Sequence, residues 1–457
     1  MEFNMNDYKN YFFVGLAGTG MSAIAQYLKG SGKKAAGSDR IFNEDKHILI
    51  REQFKNMGIY CFAQDGSGID RETDVVVISS AIEESNIEYQ KAISLKIPVI
   101  KRSELLAAIS NEKRTIAVGG TAGKSTTTAM IFHILQEAGL SPSLITGAGL
   151  ADLQEKGLPG NAWIGTSDWL VIEADESDGS IVSYFPEIGI VLNISRDHKE
   201  FIELIDLFIT FRKHTKSAFI VNRDNAMAKK LSTNPEKDFA IVNNSGFHGS
   251  DFQQNGFSIR FTINNIQFQI PGIGQHNMEN ALAAVAASSA AGVSVEDAAT
   301  ALRSFRGIYR RTQLVGEKNG ISVIDDFAHN PAEIAAAIKA CQSAGKRVLA
   351  WFQPHGYGPL RFMHEELAEK TARTLRPEDH FYMSEVYYAG GTVNKDINSD
   401  VVINALQGKG KNAFLVPDKD NLPEFLKQIA SRGDIILLMG ARDPNLGKFA
   451  RKLFDML

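Results

Sequence analysis

The sequence predicts an α/β protein in which Rossmann-like first and last domains flank a central P-loop-type domain. Its 457 residues are too many for one compact core, and at about 150 residues per domain they correspond to about three domains. Short apolar runs alternate with helical patterns, which indicates parallel sheets joined by crossover helices. A glycine-rich loop lies between a strand and a helix in the middle of the chain, which indicates phosphate binding there.

The first domain is predicted over residues 1–111, because strands and helices alternate there up to the polar stretch Ser110–Arg114, which we interpret as a linker. The central domain then covers residues 112–311 and the last domain residues 312–457. The elements predicted for the first domain are the strand Tyr11–Val14, the turn Gly15–Gly20, the helix Met21–Leu28, and the strands Val75–Ile78 and Ile97–Ile100.

Composition and charge exclude several classes of function. The net charge is -4 and 22% of the residues are charged. The chain therefore lacks the excess of basic residues that would indicate binding to nucleic acid or to an anionic membrane surface. Cys61 and Cys341 are the two cysteines, which is too few for a disulfide framework. The sequence has no basic start followed by an apolar run and no apolar stretch of about 18 residues. We therefore expect a cytoplasmic protein.

The segment Gly120–Thr126, GTAGKST, has the chemistry of a phosphate-binding loop. Glycines let backbone N–H groups close around phosphate oxygens, and the N-terminus of the next helix adds its dipole. Lys124 is placed to reach the outer phosphates, and the Ser125 hydroxyl is placed to ligate Mg²⁺. We predict a loop over Gly119–Thr128 and a helix over Ala129–Ala138. The alternative is a glycine-rich turn with a chance lysine.

Two polar residues follow apolar strands of the same domain. Glu173 comes directly after the strand Trp169–Ile172, and His198 lies shortly after the strand Ile188–Leu192. The carboxyl ends of parallel strands line the crevice where ligands bind, and Mg²⁺ prefers hard oxygen ligands. We interpret both residues as functional. A solvated acidic turn and a structural histidine are the alternatives.

Taken together, these features resemble the Mur ligase family of peptidoglycan assembly over nearly the whole chain. The loop Gly120–Thr126 resembles the family's G-T-x-G-K-[ST]-T, and Gly274–Asn280, GQHNMEN, is similar to its G-x-H-N-x-x-N motif. Arg310 and Arg311 match an arginine at the edge of the family's last domain. Asp325–Pro331, DDFAHNP, looks like its D-D-Y-A-H-x-P loop. The order and separation of the motifs make the combination specific.

The resemblance implies ATP and Mg²⁺ as cofactors and assigns roles by motif. The implied catalytic residues are Lys124, Glu173, His198, Arg311 and His329. The implied ATP-binding residues are Gly120, Thr121, Ala122, Gly123, Lys124, Ser125, Thr126, Asn277, Asn280, Arg311 and Asp326. Of these, Asn280, together with Asn277, is implied to contact the adenine. The implied metal ligands are Ser125, Glu173 and His198. Arg311 is expected to reach ATP only when the domains close.

The first domain resembles that of family members that grip UDP-N-acetylmuramate. The implied substrate contacts are Gly18, Thr19, Gly20, Met21, Ser22, Ser38, Asp39, Ser79, Ser80 and Arg102, with His198 and His329 from the other domains. The segment Phe352–His355, FQPH, is similar to a segment of the family members that use L-alanine, and this resemblance favours L-alanine as the amine. The implied reaction joins L-alanine to the lactyl carboxylate through an acyl phosphate, in a monomer or weak dimer.

Three departures from the family pattern put the identity of the amine in doubt. Ala122 and Gly356 replace a histidine and an arginine, and Ser195-Arg196 replaces an acidic pair. A ligase that attaches a whole tripeptide to UDP-N-acetylmuramate therefore stays open as an alternative. The first domain argues against a folylpolyglutamate-type ligase, which shares only the central and last domains. A non-catalytic nucleotide-binding relative is the alternative from another class.

Overall fold

A computed structural model describes residues 3–43, 49–194, 201–388, 394–443 and 445–457, with the backbone alone at 201–202. The chain divides into two compact units. The first comprises residues 1–251, 261–269 and 278–308, and the second comprises residues 252–260, 270–277 and 309–457. The α/β class predicted from the sequence is confirmed by the parallel sheets described below, whereas the domain boundaries after residues 111 and 311 stay predictions.

The first sheet is entirely parallel, and its chain order reverses between β1 and β4. Its strands are β1 Asn10–Val14, β2 Lys34–Ser38, β3 Tyr60–Phe62, β4 Val75–Ile78 and β5 Val99–Lys101. The helices around it are α1 Thr19–Gly30, α2 Leu49–Asn56, α3 Ile87–Ser94 and α4 Arg102–Asn111. The sheet order is β3-β2-β1-β4-β5. A crevice at such a reversal, at the carboxyl ends of the strands, is where ligands bind in this class of sheet.

The central sheet places the strand before the phosphate loop at its middle. Its strands are β6 Arg114–Gly119, β7 Ser143–Ile145, β8 Ala162–Trp163, β9 Trp169–Glu173, β10 Ile188–Val191 and β11 Ala218–Val221. The sheet order is β11-β10-β6-β9-β7-β8, with only β8 antiparallel to its neighbour. The helices of this region are α5 Lys124–Glu137, α6 Ala151–Glu155, α7 Phe201–His214, α8 Gln275–Ala290 and α9 Val295–Leu302. The β-branched and other apolar side chains of these strands are buried, as expected for parallel strands that are covered on both faces.

A small sheet follows the central one in sequence. Its strands, in spatial order, are β12 Phe239–Ala240, β13 Phe247–Asn255, β14 Ser258–Ile263 and β15 Ile266–Pro271. Asn264 and Asn265 both adopt positive φ, 48° and 69°, at the turn between β14 and β15. Two successive left-handed residues are typical of a tight hairpin turn, and asparagine tolerates that conformation. The antiparallel edge predicted around residues 257–270 is therefore confirmed at this hairpin.

The last sheet is parallel except for its first strand. Its strands are β16 Gln313–Lys318, β17 Ile321–Asp326, β18 Arg347–Phe352, β19 His380–Met383, β20 Asn412–Leu415 and β21 Asp434–Met439. The helices of this region are α10 Pro331–Gln342, α11 Tyr357–Thr374, α12 Asp400–Gly408, α13 Leu422–Ile429 and α14 Leu446–Met456. The sheet order is β16-β17-β21-β18-β19-β20, with β16 antiparallel to β17. Within the described ranges, no helix is both long enough and apolar enough to cross a bilayer.

Some element boundaries predicted from the sequence are wrong. The helix after the phosphate loop begins at Lys124 instead of Ala129. Thr127 and Thr128 are fully buried there, so packing overrides the weak helix propensity of threonine. The polar stretch Ser110–Arg114, predicted as a linker, connects two elements only at residues 112 and 113, because α4 runs to Asn111 and β6 begins at Arg114.

The close approach of the first glycine turn to β2 depends on a glycine at position 37. A β-carbon at Gly37 would lie 2.4 Å from the Phe13 carbonyl oxygen and 2.9 Å from Leu16 Cβ. We expect Gly37→Ala to destabilise the protein by about 1–3 kcal/mol through overpacking. Urea or thermal unfolding of the purified variant measures this as a lower midpoint.

The matched control is Gly408→Ala in α12, where an added β-carbon meets nothing within 4 Å. That change is expected to be neutral or stabilising by up to about 1 kcal/mol, because alanine restricts the unfolded chain. Equal unfolding midpoints for the two variants would contradict the packing argument.

Candidate functional site

The phosphate loop is shaped by two glycines in the left-handed half of φ space. Gly120 has φ +133° and Gly123 has φ +87°, and Gly123 is the N-cap residue of α5. A β-carbon at Gly123 would also lie 2.6 Å from Asn280 Oδ1. Lys124 and Ser125 therefore occupy the first turn of α5, where backbone N–H groups have no partner within the helix. Such a helix start is a ready anion-binding site.

Asn193, at the end of β10, holds the loop in this conformation. Its Oδ1 accepts hydrogen bonds from Thr121 Oγ1 and from the Ala122 N–H, both at 2.8 Å. Its Nδ2 donates to the Ala122 carbonyl at 3.0 Å. Asn193 was not identified from the sequence as a site residue. The signal that could have identified it is its position at the end of a strand beside β6, the strand that precedes the phosphate loop.

The Lys124 ammonium is held by the loop and by a buried acid. Nζ donates to the Gly120 carbonyl at 2.7 Å and to Glu176 Oε2 at 3.0 Å. Burial raises the pKa of Glu176, and the nearby Lys124 cation opposes that rise. Burial also acts to raise the pKa of Asp175, but the hydrogen bond from Ser177 and the Lys124 cation outweigh it and lower that pKa. Glu176 is a further residue to which the sequence patterns assigned no role.

Glu173 and Ser125, predicted to act together, are in direct contact. Ser125 Oγ donates to Glu173 Oε2 at 2.9 Å, and the Gly147 N–H donates to Oε1 at 2.7 Å. Thr146 Oγ1 also donates to Oε1. A hydroxyl and a carboxylate at the mouth of a phosphate loop are the hard oxygen ligands that Mg²⁺ prefers.

The metal site predicted from the sequence is described only in part. His198 lies outside the described residues, together with its neighbours 195–200. In the part of the chain that is described, no three His, Cys, Asp or Glu side chains are grouped to hold a metal ion by themselves. The fit of the site to Mg²⁺ therefore depends on Ser125 and Glu173, whose oxygens lie together.

Asn280, predicted to contact adenine, lies against the phosphate-loop helix. Its Oδ1 accepts a hydrogen bond from Thr127 Oγ1 at 3.3 Å, and the residue is 8% exposed. Asn277 belongs to the other compact unit, where its Nδ2 donates to the Ile273 carbonyl at 2.8 Å. The adenine contacts of both residues stay predictions.

In the first domain, the predicted substrate turn opens α1. Gly18 is the N-cap residue, so the N–H groups of Thr19, Gly20 and Met21 start the helix without partners inside it. The Ser38 carbonyl accepts from the N–H groups of Gly15 and Leu16, each at 2.8 Å, which fixes the turn above β2. Because Met21 and Ser22 are buried, the accessible part of this turn is its backbone and the exposed side chain of Thr19.

Asp39 and Ser38 support the same turn from the end of β2. Asp39 Oδ2 accepts from the Ala17 N–H at 3.0 Å. The fully buried Ser38 hydroxyl donates to Glu88 on α3. Burial raises the pKa of Glu88, and the Ser38 hydroxyl opposes that rise. These side chains position the turn, whereas the predicted contacts of Ser38 and Asp39 with substrate stay predictions.

Arg102 and the Ser79-Ser80 segment frame the same edge of the first sheet. Arg102 Nη2 lies 3.4 Å from Asp178 Oδ2, and a β-carbon at Gly20 would lie 3.1 Å from Arg102 Nη1. Ser79 and Ser80 follow β4 directly. Beyond them an open hollow of about 530 Å³ is lined by residues that include Arg40, Gln64, Ile82 and Asn86. The predicted turn and Arg102 are thus brought together.

In the second unit, the two arginines of the predicted motif differ sharply. Arg310 is buried, its Nε donates to both oxygens of Asp325 at 3.0 and 3.1 Å, and its Nη2 donates to the Gly440 carbonyl at 2.7 Å. Burial raises the pKa of Asp325 to about 6, against the opposing Arg310 cation. Arg311 is exposed, and its guanidinium lies 5.2 Å from the centre of the Phe327 ring. Of the two arginines, Arg311 is therefore the one available to a ligand.

Asp326, predicted to face ATP, is buried and bonded within the protein. Its Oδ2 accepts from the Thr312 N–H at 2.5 Å and from Thr312 Oγ1 at 2.9 Å, and its Oδ1 accepts from the Ala328 N–H at 2.7 Å. Arg310 and Thr312 both adopt positive φ, 55° and 49°. The hydrogen bonds to Asp326 hold this unfavourable backbone. The predicted contact of Asp326 with ATP stays a prediction.

His329 and His355 form a pair at the carboxyl edge of the last sheet. His329 Nδ1 lies 3.1 Å from Glu333 Oε2 and 3.1 Å from the Phe327 carbonyl. Because both neighbours are acceptors, Nδ1 donates, and in the uncharged form of the ring the lone pair is on Nε2. The His355 ring centre lies 5.2 Å from that of His329. The segment that contains His355 was noted in the sequence, but no role was predicted for this residue.

The two histidines have opposite pKa shifts. Burial acts to lower the pKa of His329, but the hydrogen bond and charge of Glu333 outweigh it and raise that pKa. Burial lowers the pKa of His355 to about 4, and the positive charges of His329 and Arg442 add to the effect. Near neutral pH, His355 is therefore uncharged.

Comparisons with known proteins agree with this architecture. Residues 10–114 match the Mur ligase family catalytic domain, 118–288 the Mur ligase middle domain and 310–442 the Mur ligase glutamate ligase domain. The UDP-N-acetylmuramate--L-alanine ligase of Pelotomaculum thermopropionicum is 32% identical over 463 residues, with 96% of each chain covered. That of Geobacter sp. strain M21 is 34% identical over 448 residues, with 94% of each chain covered.

Solved structures share the fold. The UDP-N-acetylmuramate-alanine ligase of Thermotoga maritima superposes with a TM-score of 0.81 over 98% of each chain at 24% identity. A murein peptide ligase from Psychrobacter arcticus gives 0.68 over 98% of each chain at 22% identity. At these identities the structures support the fold, and the family follows from the sequence matches over the three domains. The chain belongs to the Mur ligase family.

Proposed function

We propose that the protein uses ATP to join L-alanine to the lactyl carboxylate of UDP-N-acetylmuramate, in peptidoglycan precursor synthesis. The contact of Ser125 with Glu173 beside Lys124 is the observation that carries this proposal. This contact supports the proposal because it joins the predicted phosphate loop to a pair of hard oxygen atoms. The full-length relatives with this printed activity support the choice of substrates. The cytoplasmic location, the absence of nucleic-acid and membrane partners, and a monomeric or weakly dimeric state stay predictions.

The proposed chemistry has two steps. A carboxylate oxygen of UDP-N-acetylmuramate attacks the γ-phosphorus of ATP, the bond to the β-phosphate oxygen breaks, and ADP and an acyl phosphate form. The nitrogen of L-alanine then attacks the acyl carbon and loses a proton. The bond from that carbon to the phosphate oxygen breaks, which releases inorganic phosphate. Carboxylate activation is needed because a carboxylate alone does not react with an amine.

Positioning and charge neutralisation are the main contributions of the protein to such phosphoryl transfer. Lys124, in the first turn of α5, balances charge on the outer phosphates, and Arg311 is the exposed arginine available for the same task. Mg²⁺, when bound by Ser125 and Glu173, supplies further positive charge to the phosphates. The proposed role of His198 beside them rests on the sequence resemblance.

For the second step, His329 is the candidate group near the amine. Its Nδ1 is committed to Glu333 and the Phe327 carbonyl, which leaves Nε2 to accept a proton. The ring of His355, whose pKa is lowered to about 4, lies beside it and is uncharged near neutral pH. The departure at Gly356 keeps a tripeptide as the competing amine.

A phosphate-release assay tests the proposed function. Purified protein is given ATP and Mg²⁺ with UDP-N-acetylmuramate, and then L-alanine, other amino acids or the tripeptide are added in turn. We expect phosphate release to require both UDP-N-acetylmuramate and L-alanine. Release with the tripeptide alone would assign the recycling reaction, and no release with any amine would leave a non-catalytic nucleotide-binding protein.

Lys124→Ala is expected to lower kcat by more than about 10²-fold, the scale of losing one preorganised electrostatic group. The same assay at saturating substrates measures it. Lys113→Ala is the matched control, because the Lys113 ammonium pairs with the exposed Asp168 away from the loop. Turnover near the normal rate in Lys124→Ala would remove this lysine from the mechanism.

Glu173→Gln is expected to raise the Mg²⁺ concentration for half-maximal activity by at least about tenfold, since even residues that only orient metal ligands have effects of that size. A magnesium titration of the ligase assay measures the shift. Glu187→Gln is the control, because Glu187 precedes β10 at the opposite, amino end of the same sheet. An unchanged magnesium dependence in Glu173→Gln would refute the assignment of this carboxylate.

Glu333→Gln is expected to lower the pKa of His329, because the carboxylate that raises it is lost and burial then dominates. Histidine NMR titration of the variant measures the change. The stability that the charged pair contributes is present below pH 6.5, the ordinary pKa of histidine, and is lost as pH rises through the raised pKa. Glu365→Gln, at an exposed acid on α11, should leave the His329 titration unchanged. The same pKa in all three proteins would contradict this pairing.

A further inference from the structure

A buried asparagine joins the predicted substrate turn to the central domain. Asn161 precedes β8 and is 4% exposed. Its Nδ2 donates to the Thr19 carbonyl at 2.7 Å and to Ser22 Oγ at 2.8 Å, both in the first turn of α1. Its Oδ1 accepts from Gln26 Nε2 at 2.8 Å, one turn further along α1. The amide therefore fixes the start of α1 from outside its own domain.

The backbone of the same residue leads to the phosphate site. The Asn161 carbonyl accepts from the Thr146 N–H at 3.0 Å, in line with the antiparallel pairing of β7 and β8. Thr146 is 2% exposed, and its Oγ1 donates to Glu173 Oε1. Glu173 Oε2 in turn accepts from Ser125 Oγ at 2.9 Å. A continuous set of hydrogen bonds thus runs from the first turn of α1 to the first turn of α5.

We propose that Asn161 is a positioning residue that fixes the spacing between the substrate turn at Thr19–Ser22 and the carboxylate of Glu173. The inference rests on the proposed function, in which the α1 turn holds UDP-N-acetylmuramate and Glu173 lies at the ATP phosphates. The lactyl carboxylate must then reach the γ-phosphorus of ATP from an anchor in another domain. Asn161 and Thr146 set the distance between the two anchors and so align the reacting atoms.

Burial gives this alignment its rigidity. Gln26 and Ser22 are 1% and 2% exposed, so water cannot replace the amide of Asn161 without a local opening. The packing beside the network is equally close, because a β-carbon at Gly30 of α1 would lie 2.4 Å from Ile164 Cγ1. A misplacement of about 1 Å far from the reacting atoms can lower a rate by about 10²-fold.

The experiment compares Asn161→Ala with the wild-type protein in the ligase assay. The concentration of competent sites is first titrated with a fluorescent ATP analogue, so that kcat is expressed per nucleotide-binding site. We expect kcat per site to fall about 10²-fold, while KM for ATP stays within about threefold. A residue with only a structural role would lower the number of competent sites and leave kcat per site unchanged.

Thr146 gives a second test at the other end of the network, should Asn161→Ala fail to fold. Thr146→Val removes the hydroxyl that contacts Glu173 and keeps the side-chain volume, and it is expected to lower kcat per site at least about tenfold. Thr146→Ser restores the hydroxyl and is expected to restore the rate. Asn111→Ala is the matched control, because Asn111 also bonds across the two domains, to the Ser183 carbonyl and the Phe185 N–H, outside this network.

Each outcome decides the proposal. Reduced kcat per site in Asn161→Ala and Thr146→Val, with near-normal values in Thr146→Ser and Asn111→Ala, supports it. Normal kcat per site in Asn161→Ala overturns the inference about Asn161 and leaves the proposed function standing. If only Thr146→Val folds, normal kcat per site in that variant has the same consequence. No turnover of UDP-N-acetylmuramate by the wild-type protein overturns the proposed function, and this inference with it.

Discussion

The left-handed turn at Gly123 is the constraint on which the phosphate site depends. Any residue other than glycine would be strained at φ +87°, and its β-carbon would lie 2.6 Å from Asn280 Oδ1. Glycine lets the chain leave β6, turn over the strand ends and enter α5 at once. Lys124 and Ser125 then stand at the helix start, opposite the carboxyl end of β9, where Glu173 accepts the Ser125 hydroxyl. Asn193, which follows the neighbouring strand β10, accepts hydrogen bonds from Thr121 and Ala122 and so fixes the loop conformation.

The charges around that turn define what the proposed binding of ATP requires of an acidic protein. With a net charge of -4, the chain has no general field that attracts anions. Lys124 already contacts Glu176, and Asp175 lies 4.0 Å away. A triphosphate would add more negative charge here. Under the proposed function, ATP binding therefore requires the N–H groups of the helix start and a divalent cation on Glu173 and Ser125, so that local geometry substitutes for net charge.

The second unit uses burial for a different purpose. Arg310, Asp325 and Asp326 are buried; Arg310 donates to Asp325, and Asp326 accepts from the Thr312 N–H. These hydrogen bonds hold the positive φ angles of Arg310 and Thr312, the residues on either side of Arg311. This leaves Arg311 exposed while its neighbour is committed to structure. At the same sheet edge, His329 is oriented by Glu333, and His355 is kept uncharged by burial. One region thus presents an exposed cation, an imidazole oriented by a carboxylate, and a second, uncharged imidazole.

The sequence by itself determined the fold class, the phosphate loop and the strand-end acid, because these depend on local patterns: a glycine-bounded turn, a lysine at a helix start and a carboxylate at the end of an apolar run. It placed the start of α5 five residues late, at Ala129 instead of Lys124, because burial of Thr127 and Thr128 overrides local propensity. Only the tertiary structure decided which of Arg310 and Arg311 is exposed. It also decided that Asn161 and Thr146 join the two turns, since strand order, not spacing along the chain, brings residues 19, 161, 146 and 173 together.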